Sequence, residues 1–167
     1  MHELVPWFLV LHVLGAIIAF GPTFSFTVIR DLGRADPMHG NFATRVSSAI
    51  SDRRVIPVAL TMPVTGIGLI WSAGIDPFIR ETRWLLLGVT LYLIALTYSL
   101  TIQKSAVGRI VTLTASPPPP PAAGSSPGGP PPALMDAIRT VQRGGVLLLA
   151  LITAIVFLMV VKPNFGF

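Results

Sequence analysis

This chain of 167 residues contains no cysteine. That lack excludes disulfides, thiolate metal sites, Cys-ligated iron–sulfur clusters and haem attached through Cys. Charge is scarce too. Asp, Glu, Lys and Arg make up 11% of the residues, against roughly 25% in soluble domains. A chain with so little charge cannot cover a water-facing surface, so lipid must solvate much of it. The charges that exist lie almost wholly between the apolar runs. The net charge of +5 is therefore not gathered on a face suited to nucleic acid, and nucleic acid is not expected as a partner. No Asp, Glu, Lys or Arg lies inside an apolar run, and no internal repeat is visible. The first absence removes the usual partners of an intramembrane proton relay. The second leaves an inverted-repeat transporter without support.

What the chain has is apolar length. A bilayer core takes about 20 mostly apolar residues per helix. Four stretches qualify: roughly Leu4–Ile29, Val55–Ala73, Trp84–Ile102 and Gly145–Val161. The fourth is short, and is expected to extend backward through the amphipathic stretch Ala133–Arg143. Backbone groups in lipid must be satisfied internally, so these runs are helices. The expected fold is all-α, a four-transmembrane-helix bundle in one membrane domain over residues 1–167. The first run is expected to be retained. The short segment before it, with His2 and Glu3, has no Lys or Arg, and its apolar stretch is longer than a signal-peptide core.

Basic residues predict the orientation. Arg30, Arg34, Arg45, Arg53 and Arg54 fall in loop one, and Lys104, Arg109, Arg139 and Arg143 in loop three. Only Arg80, Arg83 and Lys162 fall on the other side. Loops one and three are thus expected in the cytoplasm of a bacterial plasma (inner) membrane, with both termini outside. Trp7, Trp71 and Trp84 fall at the outward ends of their spans, where an interfacial aromatic belt is expected, and Phe165 and Phe167 would add to it.

Within loop one, Phe42, Val46, Ala49 and Ile50 share a helical face. This spacing predicts a short amphipathic helix on the cytoplasmic surface before span two, begun near Asp36-Pro37. A plain connector is the alternative. In loop three, residues 115–132 are Pro-rich with Gly and Ser between. They predict a solvated linker with polyproline II tendency, a ligand for a partner domain being the alternative.

His12 is the one ionisable side chain within the apolar runs. A titratable group in hydrocarbon is a functional-site hypothesis by default. Gly15, Ala16 and Ala19 follow it at helical spacing and form a small-residue stripe. Such a stripe admits a second helix or a flat cofactor. The opposite surface, with Val10, Ile17 and Phe24, suits lipid. Three readings of His12 stand open. It is a neutral imidazole bonded to a Thr, a Tyr or a backbone carbonyl; a ligand to haem iron or another metal; or a proton relay. His39 lies on the opposite side of the membrane, so a multi-residue metal site is not expected. Phe20-Gly21-Pro22 is expected to kink the first helix. Span two carries Pro57, Pro63, Gly66 and Gly68 and should be bendable and closely packed. Thr61 and Thr65 can bond its freed carbonyls. Met62 is expected to pack, with a sulfur ligand to haem as the alternative. In span three, Thr90, Thr97 and Thr101 align at helical spacing with Tyr92 and Tyr98 nearby. They are candidates for helix–helix glue or for partners of His12.

Phe8-Leu-Val-Leu-His12-Val-Leu-Gly-Ala16, the Phe20-Gly21 pair, Thr65-Gly66-x-Gly68-Leu and Arg83-Trp84-Leu resemble a bacterial family of small four-span proteins described as predicted integral membrane proteins. More distantly, the first-span motif is similar to membrane haem-containing protoporphyrinogen oxidases and to the membrane domain of copper-resistance D proteins. That likeness implies haem b ligated by His12. The oxidases also carry a lysine in span three, whereas here no ionisable residue lies between Trp84 and Ile102. The expected function is accordingly a non-enzymatic accessory or assembly subunit of a larger membrane complex, with haem b on His12 as a candidate cofactor. A homo-oligomer is also open. The alternatives are a haem-dependent membrane oxidoreductase and a small-solute or metal permease.

Overall fold

The computed structural model describes residues 2–35, 37–115 and 130–164. The described residues form helices joined by short turns. Helix α1 runs Val5–Ala35, with Gly21 and Pro22 inside it. Helix α2, Gly40–Ile50, passes through a π turn at Ser51–Val55 into α3, Ile56–Ala73. Helix α4, Arg83–Tyr98, passes through a second π turn at Ser99–Gln103 into α5, Lys104–Leu113. Helix α6 runs Pro132–Val161, with its first proline where a missing N–H costs nothing. Four helical bodies are long and apolar enough to cross a membrane.

These bodies overshoot the bilayer. Gly40–Ala73 and Arg80–Leu113 are 34 residues each, or about 50 Å at 1.5 Å per residue, against a hydrocarbon core of about 30 Å. The excess lies at the basic end. Span two was expected to start at Val55 and span three to stop at Ile102, and both π turns sit at those points. The helices do not stop there. A π turn inserts one residue and rotates the helix beyond it, so α2 and α5 can turn a different face inward from the one α3 and α4 bury. Asp52 in one π turn meets Lys104, just after the other, at 3.0 Å. Both ends of this pair are substantially exposed, so it is worth about 1 kcal/mol at most and sets register more than it adds stability.

The helix expected in loop one is present as α2 and runs on into α3 as one long body, in contact with α1 and α5. Loop three is less of a loop than expected, because α5 carries on for ten residues past the π turn. Asn41 of α2 donates its amide to Val111 O (3.3 Å) and Thr114 Oγ1 (2.7 Å), which fastens the α5 C-terminus to α2. The stretch Ala133–Arg143 does extend the fourth span backward within α6. Most of the Pro-rich segment 115–132 lies outside the described residues.

In the membrane portion the helices associate as two antiparallel pairs, α1 with α3 and α4 with α6. At the end of the bundle away from the π turns Trp84 and Leu85 of α4 bury themselves against Leu158 of α6, with Ile70, Ile75 and Met159 around them. Trp84 therefore departs from the expected belt. It is 8% exposed, whereas Trp7 and Trp71 are 71% and 61% exposed. Its ring also receives the Lys162 ammonium, 5.6 Å from the centroid, a cation–π contact. Phe165 and Phe167 lie outside the described residues. The α3 C-terminus is closed by Gly74 at φ 65°, with Gly74 N bonded to Trp71 O and Ile75 N to Ile70 O. That left-handed position suits glycine, which has no Cβ to clash.

Candidate functional site at the α1–α3 seam

The small residues of α1 and α3 decide how closely these helices approach. Each face offers a glycine where the other offers a large side chain. Phe8 lies on Gly68, where a Cβ would collide with three atoms of its ring. His12 lies on Gly66, where a Cβ would stand 3.4 Å from His12 Cε1. Met62 lies on Gly15, where a Cβ would come within 2.8 Å of Sδ. Further along, Ala19 is wholly buried and Ala59 of α3 nearly so. The stripe Gly15, Ala16, Ala19 thus begins as the bed of α3, with Met62 packing on it.

His12 is tied into this seam. Its Nδ1 is 2.8 Å from Thr65 Oγ1, and Thr65 Oγ1 donates to Met62 O at 3.0 Å. A hydroxyl has one proton to give. Since Thr65 spends it on the carbonyl, its oxygen accepts from His12 Nδ1–H. The neutral ring then carries its lone pair on Nε2. Sequence reasoning left a Thr, a Tyr or a backbone carbonyl open as the partner of His12 and sought it in span three; the partner is Thr65 of span two, which was expected only to bond its own helix.

The other candidates lie elsewhere. Thr61, Thr90, Thr97 and Thr101 are exposed on the outer surface of their helices, not between helices. Thr61 bonds Val58 O, Thr90 bonds Leu86 O and Thr101 bonds Thr97 O, each within its own helix. A hydroxyl facing lipid has its own backbone as nearest acceptor. Tyr92 is the residue of span three that does cross to another helix. It donates to Ala59 O at 2.5 Å. Ala59 lies four residues before Pro63, which has no N–H for that carbonyl. Tyr92 replaces the missing donor. The i−4 position of Pro63 was the available signal for this bond.

A second polar group, not anticipated, lies at the basic boundary. Gln103 Nε2 donates to Val141 O at 3.2 Å. Gly144 is pressed against Tyr98 and Gln103, since a Cβ there would lie 2.6 Å from the Tyr98 hydroxyl. Gln103 Oε1 and Gln142 Nε2 are buried without a partner. Among the described residues no three His, Cys, Asp or Glu gather as a metal cluster. A porphyrin meets a mixed reception at His12. The Nε2 lone pair is the right donor, but Met62 fills the glycine surface that would have bedded the ring.

Helix lengths, apolar windows and glycine-lined seams define a small four-span helical membrane protein. Residues 7–163 match the family described as predicted integral membrane protein (DUF2269), and the chain belongs to that family. No curated protein and no solved structure matches the chain.

Proposed function

We propose that this protein is a non-enzymatic accessory or assembly subunit of a larger membrane complex. It would stand in the bacterial plasma membrane with loops one and three in the cytoplasm, as the nine basic residues of those loops favour. The observation carrying the subunit reading is the outer face of α1. Val10, Leu14, Ile17, Phe24 and Val28 form one exposed stripe at helical spacing. Only 6% of the most apolar window of α1 is buried within the chain. Gly21 falls in the same stripe with open space above it, which would let another helix come close. In this reading His12 is structural, a polar pin that holds α1 to α3 in register.

A second reading keeps haem on His12. The bond from Nδ1–H to Thr65 favours it, because anchoring one nitrogen of an imidazole orients the other as a ligand. The bed for the ring would have to come from lipid or a partner subunit, given Met62 on Gly15. One preparation tests both readings. The full chain is purified in mild detergent from haem-replete cells, then sized and scanned through the near-ultraviolet and visible. A hetero-oligomer without a Soret band is the expected result. A chain that always runs alone would sink the subunit reading. A Soret band that disappears in His12→Ala would move the assignment to haem.

A further inference from the structure

Between α1 and α6, at the polar boundary, lies an open cleft of about 440 Å³ lined by Arg30, Gln142, Arg143 and Val146. Arg30 directly follows the apolar run of α1, and Arg143 comes two residues before that of α6. Both guanidinium groups therefore stand where hydrocarbon gives way to headgroups. From the same Val146 an open, shallow apolar face continues along α6 past Leu149, Ala150, Thr153 and Phe157. A basic cleft continued by an apolar face running toward the membrane centre has the two-part chemistry of one class of molecule.

We infer that this surface binds an anionic phospholipid, with its phosphate in the cleft and an acyl chain along the apolar face. The charge balance agrees. Arg30 is engaged through Nε and Nη2 with Asp31 Oδ1, at 3.0 Å each. Arg143 has no ion pair among the described residues. Two cations and one carboxylate leave one positive charge for one phosphodiester. Arg143 can meet that phosphate with a forked pair of N–H donors. A second transmembrane helix is the less apt occupant, because an apolar helix face would leave the Arg143 guanidinium unanswered.

The test uses the full chain in delipidating detergent and does not depend on the subunit reading. Thermal unfolding and native mass spectra are recorded with dioleoylphosphatidylglycerol, dioleoylphosphatidylcholine and glycerol 3-phosphate. The phosphatidylglycerol should be retained and should raise the melting temperature, the zwitterionic lipid much less, and glycerol 3-phosphate hardly at all. Arg143→Gln should weaken retention about fivefold, and Arg30→Gln with Arg143→Gln about thirtyfold. Ala150→Trp, which crowds the apolar face, should weaken lipid retention while leaving both arginines in place. Equal retention of the two lipids by the unmodified chain would overturn the proposal without recourse to any variant. Equal protection by glycerol 3-phosphate would reduce the site to a simple anion cleft and overturn the lipid claim. A second protein chain retained stoichiometrically and displaced by Ala150→Trp would assign the apolar face to a helix instead.

Discussion

Tyr92 and Pro63 act as one unit, although they lie on different helices. The proline removes a donor from α3 and the tyrosine, arriving from α4, returns it to Ala59 O. Removing the hydroxyl leaves a carbonyl unpaired in an apolar setting. Tyr92→Phe should therefore cost about 1 kcal/mol of stability, within the range seen for polar contacts between membrane helices. With Pro63→Ala in place, residue 63 regains an N–H for that carbonyl, and the same Tyr92→Phe change should cost little. Denaturant unfolding in micelles of the four proteins of this cycle measures the difference. A Tyr92→Phe penalty independent of residue 63 would show that the hydroxyl is not replacing the proline's donor. His12 belongs to the same scale. That it should be polar-bonded and turned toward the bundle was legible from its spacing with Gly15, Ala16 and Ala19. That Thr65 is the partner and Nε2 the free nitrogen was not, because this depends on which helix lies opposite.

At the scale of elements, helix pairs are set by where glycine meets bulk. Gly68 against Phe8 is the tightest contact of the α1–α3 seam. Gly68→Ala should destabilise the chain by about 1–3 kcal/mol, the usual penalty of overpacking. Gly15→Ala should cost less, because the atom it meets is the flexible thioether of Met62. The order of the two thermal midpoints checks this, and a neutral Gly68→Ala would mean that the helices stand further apart than this contact requires. The π turns were beyond sequence reasoning. The sequence marks each boundary by a change from apolar to polar residues. It does not mark whether the backbone ends there or carries on with an extra residue, and the α2, α5 and α6 contacts decide that. The threonines show the converse error. Thr90, Thr97 and Thr101 have the right period for a polar seam, yet period alone does not say which way a stripe faces, and this one faces outward.

At the scale of the whole molecule, the apolar sections of the four bodies sit in the bilayer and their basic ends project from one side. A topology reporter inserted between residues 120 and 126, on the Pro-rich segment, should read cytoplasmic. A periplasmic signal would invert the placement of every loop. The number of spans and the backward extension of the fourth were readable from the chain, whereas the helices of spans two and three run past the ends read from it. Span number and extension follow from the cost of exposing backbone and charge to hydrocarbon, which each segment meets on its own. Other features required the fold: Trp84 as core and not belt, Tyr92 on a proline-freed carbonyl, and Arg30 and Arg143 lining one cleft from opposite ends of the chain. Lipid selects a helix for its own apolar length, and that length is written locally. Lipid gives apolar faces little reason to prefer one another, so glycine gaps and polar bonds between distant residues choose the neighbours. Those matches exist only once the helices are side by side.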